Sequence, residues 1–312
     1  MADIVIAMGG APAVARELGQ LPAGLKVAAA ESAEEAAALV GDARVIAGMP
    51  RIINQAVIDA APRLELLQMM TSGVDLIRSL TIPETVAIAT GRGIHGPQLS
   101  ELAFYYMLNF LRDVRGQIQR QADAKWGGLS PRVLLGRHVV IVGVGSISEA
   151  LAKRAQAFDM KVTGLSASRD AAPGFDAVRP MTELKAAVTE ADFVVILTPL
   201  TPETRGLIDA SVIAAMPAHA VLINMARGPV VDEPALIDAL QRRAIAGAGL
   251  DVFDREPLSA DSPLWQLDNV LITPHVGGAS DRVPQQFAPL VADNIARWFA
   301  SPRQELRNRV SL

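Results

Sequence analysis

Apolar runs of four to seven residues alternate along most of the chain with longer alanine-rich stretches whose apolar positions recur at helical spacing. Unbroken Val, Ile and Leu runs are what strands buried on both faces look like, and parallel strands need crossovers between them, which the helical stretches supply. The pattern predicts strands over 4–7, 44–47, 64–69 and 86–89 in the first part, then over 138–142, 161–165, 193–197, 220–223, 248–250 and 270–272. Helices fit between them over 32–40, 55–60, 149–157, 182–189 and 233–242; the first opens on Ser32 with Glu35 three residues on, a capping signature. The fold class is therefore α/β, with two doubly wound parallel-sheet (Rossmann-like) domains and a cleft between them.

Two glycine-rich stretches read as joints. Gly91-Arg-Gly-Ile-His-Gly-Pro97 leads into a predicted helix over 99–121 that opens with Ser100-Glu101 and carries apolar Leu102, Phe104, Tyr105, Leu108 and Leu111. Gly277-Gly278-Ala279-Ser280 precedes a last helix over 283–299. The expected plan is a substrate-binding domain of residues 1–97 plus 280–312, with a dinucleotide-binding domain, 98–279, inserted in it.

Composition narrows the chemistry. At 312 residues the chain is long enough for two cores, and with aromatics at only 4% those cores are built from Ala, Val, Leu and Ile. The 33 acidic and 29 basic residues are interspersed without a basic run, which gives no footing for nucleic acid. No cysteine is present, excluding disulfides, thiolate zinc sites and cysteine nucleophiles, and the four scattered histidines form no metal-ligand motif. The longest charge-free apolar stretch, 210–226, is interrupted by Pro217, His219 and Asn224, so no membrane span is expected. The start of the chain lacks a secretory leader pattern, and a soluble cytoplasmic protein is the expectation.

The run His138-Val-Val-Ile-Val-Gly143-Val-Gly145-Ser-Ile-Ser148 is a strand entering a glycine turn before a helix. In such a turn Gly143 permits the bend, Gly145 lets backbone approach a pyrophosphate, and the helix terminus offers N–H groups with partial positive charge. Ser148 stands where the motif has its third glycine. At the end of the next strand an NAD-binding turn places a carboxylate for the adenine ribose; here Ser166-Ala-Ser168-Arg169 stands instead, two hydroxyls and a guanidinium suited to a 2′-phosphate. NADP is the preferred cofactor on this reading, with NAD as the alternative.

Three further motifs each follow a predicted strand, at the carboxyl end where open α/β sheets bind ligands: Asn224-Met-Ala-Arg227-Gly228, Asp251-Val-Phe-Asp-Arg-Glu256-Pro257 and Thr273-Pro-His275-Val-Gly277-Gly278. Arg227 offers a planar fork to a carboxylate or a polarised carbonyl, His275 can exchange a proton near neutral pH, and Glu256 can orient its ring. Met49 follows a first-domain strand, where it can close over a substrate side chain.

With these motifs the chain resembles the D-isomer-specific 2-hydroxyacid dehydrogenase family, from about Thr71 to Gly278. The resemblance implies a catalytic set of Arg227, Glu256 and His275. It also implies a cofactor groove including Ser146, Ile147, Thr198, Pro199, Ala226, Asp251 and Gly278, with Asp251 on the nicotinamide carboxamide. The loop Met70-Thr-Ser72-Gly73-Val74-Asp75 resembles the family loop whose Ser72 and Gly73 amides hold a substrate carboxylate. Within the family the Ser-Ala-Ser-Arg turn is similar to that of NADPH-dependent glyoxylate and hydroxypyruvate reductases. The implied reaction reduces a small 2-oxo acid to the D-2-hydroxy acid, in a homodimer joined along the helix over 99–121. The alternatives are a non-catalytic dinucleotide sensor or corepressor of the same fold, or a phosphite- or formate-type dehydrogenase. The formate type resembles a Gln–His pair rather than the Glu256 and His275 found here. Two departures from the family pattern, Ser148 for the third glycine and Asp159 for a glycine after the helix, are where helix-to-strand packing could loosen or the pyrophosphate shift.

Overall fold

The five residues His138–Val142 form a strand because both of their faces are covered. Val140 and Val142 enter one apolar cluster, Val139 and Ile141 another, and none touches solvent. The same alternation splits Ile4 and Ile6 from Val5 and Ala7 in the first strand. Each sheet is thus a layer between two helical layers.

The computed structural model describes residues 2–128 and 130–311. From the start run β1 (Ile4–Ala7), α1 (Ala11–Glu17), β2 (Val27–Ala30), α2 (Ala33–Leu39), β3 (Val45–Gly48), α3 (Gln55–Asp59), β4 (Leu66–Met69) and β5 (Ala87–Ala89). Next come α4 (Gly96–Arg112), α5 (Val114–Ala122), β6 (His138–Val142), α6 (Ser146–Ala157), β7 (Lys161–Ser166), β8 (Ala177–Pro180), α7 (Leu184–Val188) and β9 (Phe193–Ile196). Then α8 (Ala210–Ala215), β10 (Val221–Asn224), α9 (Glu233–Gln241), β11 (Gly247–Leu250) and β12 (Val270–Ile272) precede α10 (Val283–Phe299) and β13 (Arg309–Val310).

The chain divides into two compact units, one running to His95 and resuming at Ala279, the other being Gly96–Gly278. The first contains a six-stranded sheet in the order β13-β5-β4-β3-β1-β2, parallel except for the β13 pairing. The second contains a seven-stranded parallel sheet in the order β12-β11-β10-β9-β6-β7-β8. Its order turns at β6, which pairs with β7 on one side and β9 on the other, and such a reversal opens a crevice at the carboxyl ends of the strands. Among the described residues no helix is long and apolar enough to cross a membrane.

Several elements depart from expectation. The helix predicted over 99–121 is two helices, α4 and α5. Asp113 between them takes a left-handed conformation, φ 48°, and its side chain accepts from the Gly116 amide, capping α5. In α4, Ala103, Phe104, Tyr106, Met107 and Leu111 are buried, while Tyr105 and Leu108 face solvent. Ser100 does not open the helix, which starts at Gly96; its hydroxyl bonds back to the Gly96 carbonyl. β2, β8, β13, α1 and α8 were not anticipated. The expected cap of α2 is present, with the Glu35 amide donating to Ser32 Oγ at 3.1 Å.

Neither family departure loosens the glycine turn. Ser148 is buried, and its hydroxyl donates to the Gly143 carbonyl at 2.5 Å and accepts from the Gly145 amide at 3.3 Å, stitching the turn across its mouth. Asp159 occupies the left-handed position, φ 55°, that ends α6. There the Met160 amide reaches the Ala155 carbonyl and the Asp159 amide that of Gln156, the double bond of a Schellman stop. Aspartate tolerates this conformation better than most side chains, so the helix ends where a glycine would end it.

Candidate active site

The parallel register of the second sheet sets its strand ends level: Ile196 pairs with Asn224, Asn224 with Leu250, and Leu250 with Ile272. Arg227 follows β10 by three residues, Asp251 follows β11 directly, and His275 follows β12 by three, so all leave the same edge from neighbouring strands. The ladder continues past the strands, the Asp251 amide donating to the Asn224 carbonyl and the Thr273 amide to that of Leu250.

Local bonds then shape each loop. Asn224 uses both ends of its amide on its own turn, accepting from the Ala226 amide and donating to the Arg227 carbonyl, which fixes the half-buried arginine at its exit from the strand. Gly228 lies so close to Phe253 that an added Cβ would stand 1.8 Å from its carbonyl carbon. The Phe253 amide in turn donates to Glu256 Oε1. The turn carrying Arg227 and the loop carrying Glu256 are therefore in backbone contact. Glu256 Oε2 lies 2.6 Å from His275 Nδ1, both side chains being partly exposed. Nδ1 bonded to a carboxylate leaves Nε2 as the nitrogen that exchanges a proton.

His275 itself has φ 53°. Such a conformation persists where surrounding bonds over-determine it, and here they do. Its amide donates to the Asp251 carbonyl at 2.8 Å, while the buried Asp251 carboxylate accepts from the amides of Val276 and Gly277 and from the Thr273 hydroxyl. Thr273 Oγ1 is also 2.5 Å from the phenol of Tyr106 on α4, whose ionisation burial pushes well above the usual tyrosine range. Asp251 is thus the anchor of the histidine loop. Of roughly four acceptor sites on a carboxylate three are taken, leaving one for an outside donor. Sequence reasoning named Asp251 but not Thr273 or Tyr106; Thr273 sits inside a motif it singled out, while Tyr106 carried no signal beyond its place in a helix.

The expected cofactor residues line the same edge further along. Thr198 and Pro199 follow β9, Ala226 follows β10, Gly143, Gly145, Ser146 and Ile147 follow β6, and Ser166, Ser168 and Arg169 end β7. Gly278 closes the β12 loop, its carbonyl 3.5 Å from the Gln98 amide nitrogen. Gly143, φ 100°, lies against the Thr198 backbone, where a Cβ would approach its nitrogen to 2.7 Å, so only glycine fits. Around Gly145 nothing stands within 4 Å of a Cβ position, which leaves the start of α6 an open cradle for an anion.

At the end of β7, Ser166 Oγ accepts from the amides of Ser168 and Arg169, and Arg169 Nη1 is paired with Glu149 Oε1 at 2.6 Å. In the first unit, Met49 follows β3 and Ser72 and Gly73 follow β4, the neighbouring strand, with Thr71 Oγ1 donating to the Gly73 carbonyl. His95 is buried against the Met70 carbonyl, and His138 against Thr163 Oγ1 and the Glu190 carbonyl, where burial lowers its affinity for a proton. Among the described residues no group of three or more His, Cys, Asp or Glu is arranged to hold a metal ion.

The family model for "D-isomer specific 2-hydroxyacid dehydrogenase, NAD binding domain" matches residues 104–277, more than half of the chain. The chain belongs to that family. Glyoxylate/hydroxypyruvate reductase B of Salmonella heidelberg is 33% identical over 280 residues, 85% of this chain and 84% of the relative. A family protein of Aeromonas salmonicida has been solved whose fold superposes with a TM-score of 0.91 at 31% identity, covering 99% of this chain and 98% of that one. The NADPH-dependent glyoxylate/hydroxypyruvate reductase of Sinorhizobium meliloti, solved with NADP and sulfate, gives a TM-score of 0.84 at 26% identity, covering 100% and 98%. The protein is accordingly a 2-hydroxyacid dehydrogenase, an oxidoreductase using a nicotinamide dinucleotide, and the open cradle at Gly145 beside the tight bend at Gly143 fits the pyrophosphate of that group.

Proposed function

We propose that the protein reduces a small 2-oxo acid of the glyoxylate or hydroxypyruvate type to its D-2-hydroxy acid, with NADPH preferred over NADH. The observation that carries this reading is the Glu256–His275 pair at 2.6 Å on the strand edge that also bears Arg227. A bound reduced nicotinamide supplies the hydride. His275, with Nδ1 on Glu256, gives the Nε2 proton to the carbonyl oxygen as that oxygen gains charge. Arg227 holds the same oxygen and the neighbouring carboxylate, which a fork of donors can do together. The remaining acceptor site of Asp251 would hold the carboxamide N–H of a bound nicotinamide. Ser72 and Gly73 offer amides to the substrate carboxylate, and Met49 borders its side chain.

NADPH preference is supported by the missing acid at the end of β7 and by the S. meliloti reductase solved with NADP. The proposed reaction draws on a dissolved dinucleotide pool, which fits a cytoplasmic site of action. The experiment is a rate panel of NADPH and NADH against glyoxylate, hydroxypyruvate and phenylpyruvate, followed by absorbance. Turnover fastest with NADPH and one of the first two acids is the expected result. Cofactor fluorescence that changes on binding with no turnover of any acid identifies a sensor instead, and the reading is then wrong.

A homodimer is proposed through the exposed apolar side chains Tyr105 and Leu108 of α4 and Val114 and Ile118 of α5, which the fully exposed Trp126 follows in the chain. Within each helix the pair is three or four residues apart and so shares a face, and paired apolar exposure of this kind supports an interaction surface. Light scattering on a sizing column will give about twice the 33.0 kDa chain mass, and Ile118→Glu will lower it; a wild-type monomer sinks the proposal.

A further inference from the structure

The Arg169 guanidinium, read from the sequence as the group for a 2′-phosphate, is not offered alone. Its Nη1 is 2.6 Å from Glu149 Oε1, with the two side chains only 35% and 33% exposed. Glu149 lies in the first turn of α6, the turn that begins at the pyrophosphate cradle, and Arg169 lies three residues past the end of β7. The backbone that carries the arginine is held in place, its own amide and that of Ser168 both donating to Ser166 Oγ, at 3.0 and 3.2 Å. A carboxylate absent from the end of β7 is thus present beside it, supplied from the neighbouring helix.

We propose that Glu149 is a cofactor-selectivity residue that, by holding Arg169, narrows the preference for a dinucleotide bearing a 2′-phosphate. The inference rests on the dinucleotide reading above and deepens it. A 2′-phosphate carries about −1.5 to −2 charges near neutral pH and needs a cation to face it. Arg169 paired with Glu149 presents a net charge of zero there, and the following residue, Asp170, adds a second acid to the turn. Binding the phosphate requires the guanidinium to share or leave its carboxylate, and the carboxylate then lies beside a like charge. A ribose carrying a free 2′-hydroxyl meets no such conflict, since a carboxylate accepts from a hydroxyl. The helix terminus also favours an acid at Glu149, which keeps the pair in place when no phosphate competes for it.

The test is a binding measurement on the full chain, using the fluorescence of NADPH and NADH with wild type, Glu149→Gln, Arg169→Gln and the double variant. Glu149→Gln keeps the side-chain shape and removes the charge. It will raise the NADPH-to-NADH affinity ratio about tenfold, the scale of one removed charge contact at a partly exposed site, with NADH affinity changed less than twofold. Arg169→Gln will lower the ratio, and in that background Glu149→Gln will change it less than twofold. An unchanged or lowered ratio in Glu149→Gln overturns the proposal, as does a full tenfold gain that persists without Arg169. In either case NADH and NADPH still bind and the dehydrogenase reading stands. If neither dinucleotide binds the wild-type chain, that reading fails and this proposal fails with it.

Discussion

Replacing His275 by Asn will cut turnover of a 2-oxo acid by about 10²–10⁴-fold, the range for a positioned general acid, while NADPH affinity stays within about twofold. Asparagine is chosen because His275 has φ 53°, a conformation it tolerates, so the loop keeps its amide bond to the Asp251 carbonyl. What is lost is the ring whose Nδ1 meets Glu256 at 2.6 Å. The check is a steady-state rate with the best acid of the panel, paired with a fluorescence titration of NADPH. Near-full turnover would remove His275 from the chemistry; lost cofactor binding would mean that the substitution had damaged the loop instead.

Arg227→Lys will lower kcat/KM for the acid by about 10²–10³-fold, the cost seen when one preorganised donor to a developing oxyanion is taken away. Lysine keeps the positive charge but has no planar fork, so it cannot hold the carbonyl oxygen and the carboxylate with fixed geometry. The change leaves the Asn224 side chain its bonds to the Ala226 amide and the Arg227 carbonyl, and alters within the turn the bond from Arg227 Nη1 to the Ala226 carbonyl at 2.7 Å. Stopped-flow measurement of NADPH oxidation under single-turnover conditions separates the hydride step from binding. A loss smaller than about tenfold at saturating acid would leave Arg227 as a binding residue only.

The fold was legible in the chain where strands are buried on both faces. His138–Val142 and Phe193–Ile196 contain little but Val, Ile and aromatic or β-branched neighbours, and no helix face would need so many in succession. Edge elements gave no such signal. Val27–Ala30 is three alanines after a valine at one border of its sheet, and alanine does not distinguish strand from helix; Ala177–Pro180 borders the other sheet and is nowhere buried. The break at Asp113 was invisible because apolar residues continue through it at helical spacing, and only the left-handed backbone reveals it.

The candidate site was legible to the extent that its side chains sit within a few residues of a strand end. Arg227 and His275 each lie three residues past one. What the sequence could not convey is who bonds to whom across distance. Glu149 and Arg169 are twenty residues apart and belong to different motifs, and the donors to Asp251 are largely backbone amides, which carry no residue signature.

Arginine, glutamate and histidine all issue from one sheet, within Gly96–Gly278, and the bonds that hold them are made inside that segment. On the proposed function, the reacting trio is therefore inherited as a single cassette. By that same reading, mutations accumulating in the loops after β3 and β4 would retune which acid is accepted without retuning the chemistry performed on it, giving descendants of this chain a route to new substrates that does not pass through an inactive ancestor.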